Sequence, residues 1–194
     1  AQVGRLAPGS GSTVSGTAVA DRPSSYVVRG CKEGEQISVE ELLYCLMLPS
    51  SCDAANVLAE AVDGTVEDFV AHMNRRAGEL GCQGTHFTNT YGRHNEAHYS
   101  TAYDLALIMR AALEHDMFRT IIKTAAHTVP ATNMSAERYF FNTNGLISNN
   151  WYRGYVYDKC IGGKTGNTDE AGRCLVAAAE DGDELLISVV LGSG

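Results

Sequence analysis

Gly162-Gly163-Lys164-Thr165-Gly166-Asn167-Thr168 is the stretch on which the reading of this chain turns. It leads into the apolar run Cys174-Leu175-Val176-Ala177-Ala178-Ala179. A second apolar run, Leu185-Leu186-Ile187-Ser188-Val189-Val190-Leu191, follows the polar loop Glu180-Asp181-Gly182-Asp183. Two short apolar runs joined by a turn signal predict adjacent antiparallel strands, with Lys164 to Gly166 on or beside one edge. The three residues suit an anionic ligand. An ammonium attracts its charge, a threonine hydroxyl donates a hydrogen bond, and a glycine lets the backbone approach closely. Alone, such a tripeptide reads more readily as a surface turn than as a site, so its meaning depends on the rest of the chain.

Upstream the pattern is helical. Ser38-Val39-Glu40-Glu41 is a capping box, in which the serine accepts from the third helical N–H and the glutamate reaches back. Leu42, Leu43, Leu46 and Met47 continue that helix until Pro49 interrupts it. Ser50-Ser51-Cys52-Asp53 then opens a second helix from Ala54 to about Val62, closed by Gly64. Thr65-Val66-Glu67-Asp68 starts a third, striped by Phe69, Val70, Met73, Ala77 and Leu80 and stopped at Gly81. After a polar loop over 82–99, Ser100-Thr101-Ala102-Tyr103 leads into a helix carrying Leu105, Leu107, Ile108, Ala111 and Leu113, and a shorter one is expected at Met117 to Ile122. From Ala125 onward, His127-Thr128-Val129 and Arg138-Tyr139-Phe140-Phe141 read as strands. Helices followed by locally pairing strands suit an α+β domain better than a parallel βαβ array. Residues 13–37 read as irregular, with a short strand at Ser25 to Arg29. Ala1 to Ser12, ending in Gly-Ser-Gly-Ser, read as a flexible lead-in.

Composition narrows the partners. The 194 residues carry a net charge of −8, with 44% apolar and 20% charged residues, a balance suited to one domain with a sizeable core. Nothing basic enough for nucleic acid is present. No apolar run approaches the roughly 20 residues of a membrane span. No secretory signal is visible, so the chain begins after any targeting segment or never had one. The six cysteines (Cys31, Cys45, Cys52, Cys82, Cys160 and Cys174) form no C-x-x-C pair and no zinc spacing. They read as reduced, mostly buried thiols; a disulfide stays open as the alternative.

Three constellations carry candidate chemistry. Lys164-Thr165-Gly166 is the first. In Ser50-Ser51-Cys52-Asp53, at the break between two helices, the hydroxyls either cap the second helix or relay a proton to a ligand. The loop from His86 to Tyr99 holds His86, His94, His98 and Glu96. Its spacing matches neither H-E-x-x-H nor H-x-x-E-H, which favours side chains that satisfy the loop's own backbone over a metal-dependent hydrolase. No Walker loop, G-x-G-x-x-G or G-x-S-x-G occurs, and no serine is followed three positions on by a lysine.

The order and wording of these pieces resemble the D-alanyl-D-alanine carboxypeptidases, the low-molecular-mass penicillin-binding proteins, whose motifs are S-x-x-K, S-x-N and K-T-G. The matching stretches are Gly34 to Tyr44 leading into Leu48-Pro49-Ser50-Ser51-Cys52-Asp53-Ala54-Ala55, then Thr85 to Asn89 with Tyr91-Gly92, and His98 to Asp104. Gly163 to Thr168 with Ala171 to Ala177 close the match, so that it runs from about residue 13 to residue 192. The resemblance implies a penicillin-binding/serine β-lactamase-like fold, an antiparallel sheet flanked by helices beside a mainly helical lobe, with the site between them. It implies a serine-type carboxypeptidase of peptidoglycan metabolism, extracytoplasmic in the bacterial cell envelope, needing no cofactor or metal. Its substrate is a stem peptide ending in D-Ala-D-Ala, cleaved through an acyl-serine intermediate that β-lactams also form. By position, Ser50 takes the S-x-N serine, and Lys164, Thr165 and Gly166 take the strand that aligns the substrate and binds its carboxylate.

The chain departs from that pattern in three places. Cys52 stands where the family usually has asparagine, and a thiol is a poor substitute for an amide. Thr143 stands where some members place an arginine for the substrate carboxylate, which shifts anion binding onto Lys164 and Thr165. The front strands and nucleophile helix, which should precede residue 13, are not represented, and neither are the family's C-terminal β-domain and anchoring tail. The expectation is therefore a truncated carboxypeptidase that is inactive alone, with a non-catalytic stem-peptide or partner-binding module as the alternative. Lacking its front strands, the sheet is expected to expose an edge or face that invites a homodimer.

Overall fold

The computed structural model describes residue 7, residues 9–20 and residues 30–194. The expected strand at Ser25 to Arg29 lies outside the described residues. Ser38 caps α2 (Val39–Met47) by accepting from the Glu41 N–H at 3.2 Å. Leu48 and Pro49 end that helix, and α3 (Cys52–Asp63) begins after a two-residue turn. Cys45 and Cys52 therefore belong to different helices. Gly64 ends α3 at φ 88°, a conformation that costs glycine little. Thr65 and Thr101 cap α4 (Val66–Glu79) and α5 (Ala102–Ala112) through their hydroxyls, as the sequence predicts.

The sequence reading errs nearest the start. Gly11 and Ser12 of the expected lead-in, together with Thr13, form β1 (Gly11–Thr13), which pairs antiparallel with β2 (Gln36–Ser38). Between them α1 (Gly16–Ala20) packs on α3, with Val14 and Ala18 fully buried. Glycines and small polar residues carry no hydrophobic period, so long-range pairing rather than local pattern sets this segment.

Two cores follow. One gathers α2 and α3 with Ile121, Val129 and Phe140, the latter three from α6 (Asp116–Lys123), β3 (Ala126–Val129) and β4 (Arg138–Phe141). The strands β3 and β4 form an antiparallel pair. The other joins Met109 and Leu113 of the α5 region and Ile122 of α6 to Ile161 and Ala178 of the main sheet. That sheet is β5 (Cys160–Thr168), β6 (Gly172–Asp181) and β7 (Glu184–Ser193), in that order and antiparallel throughout, as the opening stretch predicts.

Glycines set how closely α6 and β6 approach β5. A Cβ on Gly162, at φ 130°, would lie 2.4 Å from the Ile122 side chain, and one on Gly163 would lie 2.2 Å from the Val176 carbonyl oxygen. No side chain fits at either position. Strand β5 is thereby pinned with Lys164 at its middle.

The outer strand β7 pairs with β6 alone among the described residues. Leu185, Leu186, Val190 and Leu191 on it are exposed. A shallow pocket of about 230 Å³ is lined by Leu146, Tyr157, Cys160, Ala177, Ala179 and Leu186, among others. Four of the six cysteines, Cys31, Cys45, Cys52 and Cys160, are buried.

Candidate active site

The turn between α2 and α3 carries Ser50 in the left-handed region at φ 62°, the only non-glycine residue there among those described. Such backbone costs a β-carbon-bearing residue about 1–2 kcal/mol, so the surrounding structure must hold it. It projects Ser50 toward β5, where the Lys164 Nζ donates to its Oγ. Lys164 also donates to the Thr165 carbonyl at 2.9 Å. Residues 114 apart in sequence thus meet where the turn between α2 and α3 faces β5.

Thr143 completes the wall. Its Oγ1 lies 2.6 Å from the Thr165 Oγ1, so two hydroxyls share one hydrogen bond at the strand's edge. Its backbone N–H donates to the Leu48 carbonyl at 3.3 Å, tying it to the turn that bears Ser50. Cys52, buried as the first residue of α3, lies close enough for a thiolate to favour the charged form of Lys164. Burial is the larger influence and acts the other way, lowering the Lys164 pKa to about 8. A fraction of the side chain is consequently the neutral amine near neutral pH, the form that accepts a proton.

Of the residues singled out from sequence, Ser50, Cys52, Thr143, Lys164 and Thr165 are brought together. Gly166 follows on the same strand and is exposed, and a Cβ there would meet only Cys174, at an ordinary 3.7 Å. The protein's own packing does not demand glycine at this position.

In the histidine loop, the rings of His86 and His98 turn back on the loop itself. His98 Nδ1 accepts the Thr88 N–H at 3.1 Å, and His86 Nδ1 lies 2.7 Å from the Ala97 carbonyl oxygen. Burial, then the neighbouring His86 and His94, lower the His98 pKa. Among the described residues no three metal-ligating side chains gather in one place. These rings serve the loop's own backbone.

Two supporting residues escape a sequence reading. Asn142, 2% exposed, donates to the carbonyls of Ile122 and Thr124 at 3.1 Å each and accepts the Asn144 N–H at 2.9 Å, which fixes the backbone on either side of Thr143. In sequence, Asn142-Thr143-Asn144-Gly145 looks like an ordinary polar turn. Asp53 looks like a helix-start acid but is 2% exposed.

A family model described as D-alanyl-D-alanine carboxypeptidase matches residues 2–194. The chain belongs to the D-alanyl-D-alanine carboxypeptidase family. The family match takes in nearly all of the stretch expected as a lead-in. The D-alanyl-D-alanine carboxypeptidase of Streptomyces sp. strain K15 is 39% identical over 170 residues, spanning 82% of this chain and 56% of that protein. DacF of Bacillus subtilis, also a D-alanyl-D-alanine carboxypeptidase, is 36% identical over 160 residues, 82% of this chain and 39% of that protein. Among solved structures, the Streptomyces K15 DD-transpeptidase superposes with a TM-score of 0.84 at 35% identity, over 97% of this chain and 73% of that one. This carboxypeptidase-family chain therefore has the penicillin-binding fold, and it spans about half or less of the length of these two curated relatives.

Proposed function

We propose that this chain forms the substrate-aligning part of a serine-type D-alanyl-D-alanine carboxypeptidase site. The observation that carries the reading is the meeting of Ser50 with Lys164 beside the paired hydroxyls of Thr143 and Thr165. Strand β5 offers an extended edge along which a peptide ending in D-Ala-D-Ala lies antiparallel. Its terminal carboxylate takes hydrogen bonds from Thr165 and Thr143 and charge from Lys164. The exposed Gly166 leaves the backbone open to the peptide, and Cys52 lines the opposite wall without offering an amide.

Ser50 and Lys164 fit a proton-handling role. A lysine partly neutral near pH 7, in contact with a hydroxyl, moves a proton toward or away from a leaving amine. Acylation in such a mechanism needs a nucleophilic serine with its own base, and no serine in the 194 residues has a lysine three positions on. Alone, this chain binds a stem peptide and does not hydrolyse it. β-Lactams react only where that nucleophile is supplied. The relatives' names support an extracytoplasmic place in the bacterial cell envelope. Among the described residues no helix is long and apolar enough to cross a membrane.

Calorimetry with a peptide ending in D-alanyl-D-alanine tests the reading. Saturable binding that is lost in Lys164→Met, with no alanine released, supports it. Absence of binding by the folded chain overturns it.

Strand β7 favours a second partner, another copy of this chain. Its span from Leu185 to Ser193 carries no charge and no proline, the usual protections of an exposed edge. An antiparallel copy would bring Glu184 opposite Ser193, whose neighbour across β6 is Arg173, so that an acidic end meets a basic one.

A further inference from the structure

The strained turn at Ser50 needs something to hold it, and the hydrogen bonds around Asp53 identify what does. The Asp53 carboxylate is 2% exposed, and both its oxygens are occupied. Oδ1 accepts the Ser51 hydroxyl and the Ala54 N–H, the latter at 3.0 Å. Oδ2 accepts the Cys31 N–H at 2.8 Å. Ser51 is the residue at the N-cap position of α3, yet its side chain makes no capping bond. Its hydroxyl turns to Asp53 instead, while its N–H donates to the Cys45 carbonyl at 3.1 Å. Ser51 is thus held from two sides immediately after the left-handed Ser50.

A buried carboxylate is costly unless donors surround it, and here it receives three together with the favourable dipole at the start of α3. Its contacts reach the end of α2 through Ser51, the start of α3 through Ala54, and the segment before β2 through Cys31. An apolar side chain would fill the same space but could not join the three. We propose that Asp53 is a positioning residue: it fixes the turn that presents Ser50 to Lys164 and touches neither the Lys164 amine nor the substrate. The inference rests on the proposed reading of Ser50 and Lys164 as site residues, but its test does not depend on binding or turnover.

The test is the NMR titration of the Lys164 side chain, assigned by comparison with Lys164→Arg, in the full chain and three variants. Asp53→Asn keeps the size and removes the charge that holds Ser51. Ser51→Ala removes a single hydroxyl and stands in should Asp53→Asn fail to fold. Asp104→Asn alters another buried carboxylate, one on α5 that accepts from the Thr85 hydroxyl at 2.7 Å and the Gly84 N–H at 2.8 Å. In Asp53→Asn and Ser51→Ala, Ser50 swings away, water reaches the amine, and the Lys164 midpoint rises by about one unit or more. Asp104→Asn lowers the melting temperature yet leaves the Lys164 midpoint in place. An unmoved midpoint in the folded Asp53→Asn and Ser51→Ala variants would overturn the proposal, and so would an equal shift in Asp104→Asn.

Discussion

Lys164, midway along the edge strand β5, donates from its ammonium to the hydroxyl of Ser50, a residue held in left-handed backbone at the break between two helices. Neither lobe supplies this arrangement alone. The contact joins a partly buried cation to the hydroxyl of a residue with strained backbone, and desolvation disfavours the charged form of Lys164 in the folded protein.

That cost makes stability depend on pH. The folded-state pKa of Lys164 lies near 8, below its ordinary value of 10.5. Between those two values the unfolded chain binds more protons at this site, so stability rises with pH across the interval. Below about pH 8 the cost of burying the charged amine is fully present. Urea unfolding of wild type and Lys164→Met at pH 7 and pH 10 should show wild type gaining on the order of 2 kcal/mol relative to the variant. Equal pH dependence in the two proteins would refute the assignment.

The close seating of α6 and β6 against β5 predicts that Gly163→Ala is severe for so small a change. The added carbon would stand 2.2 Å from a backbone oxygen of β6, which cannot rotate away. A loss of about 3 kcal/mol in chemical denaturation is expected. Gly166→Ala, whose new carbon meets only Cys174 at 3.7 Å, should alter stability little while weakening peptide binding.

Strand β7 predicts self-association. Light scattering across a wide concentration range should show a dimer that Leu186→Lys converts to a monomer. A wild-type monomer at every concentration would remove the second copy as its partner.

Much of this architecture is written locally. The capping residues Ser38, Thr65 and Thr101 and the two apolar runs after Lys164 read correctly because each depends on neighbours within a few positions. The start of the chain does not. Gly11 and Ser12 become strand only because Ile37 and Ser38 lie opposite, and no pattern in a glycine-serine run announces a partner more than twenty residues away. The site is legible in its pieces and illegible in its assembly. Lys164-Thr165-Gly166 alone is a surface turn. Only its resemblance to a family motif set suggests Ser50 as its neighbour, and the fold then brings the two into contact. Asp53 and Asn142 escape notice because burial, not residue type, distinguishes them from ordinary cap and turn residues.

The central claim is that this chain carries the aligning wall of a carboxypeptidase site without the serine that is acylated. Intact-mass spectrometry after incubation with a penicillin tests it most directly. An unchanged mass is predicted, with Ser50 unmodified despite its contact with Lys164. A stoichiometric mass increase, on Ser50 or any other residue, would contradict it.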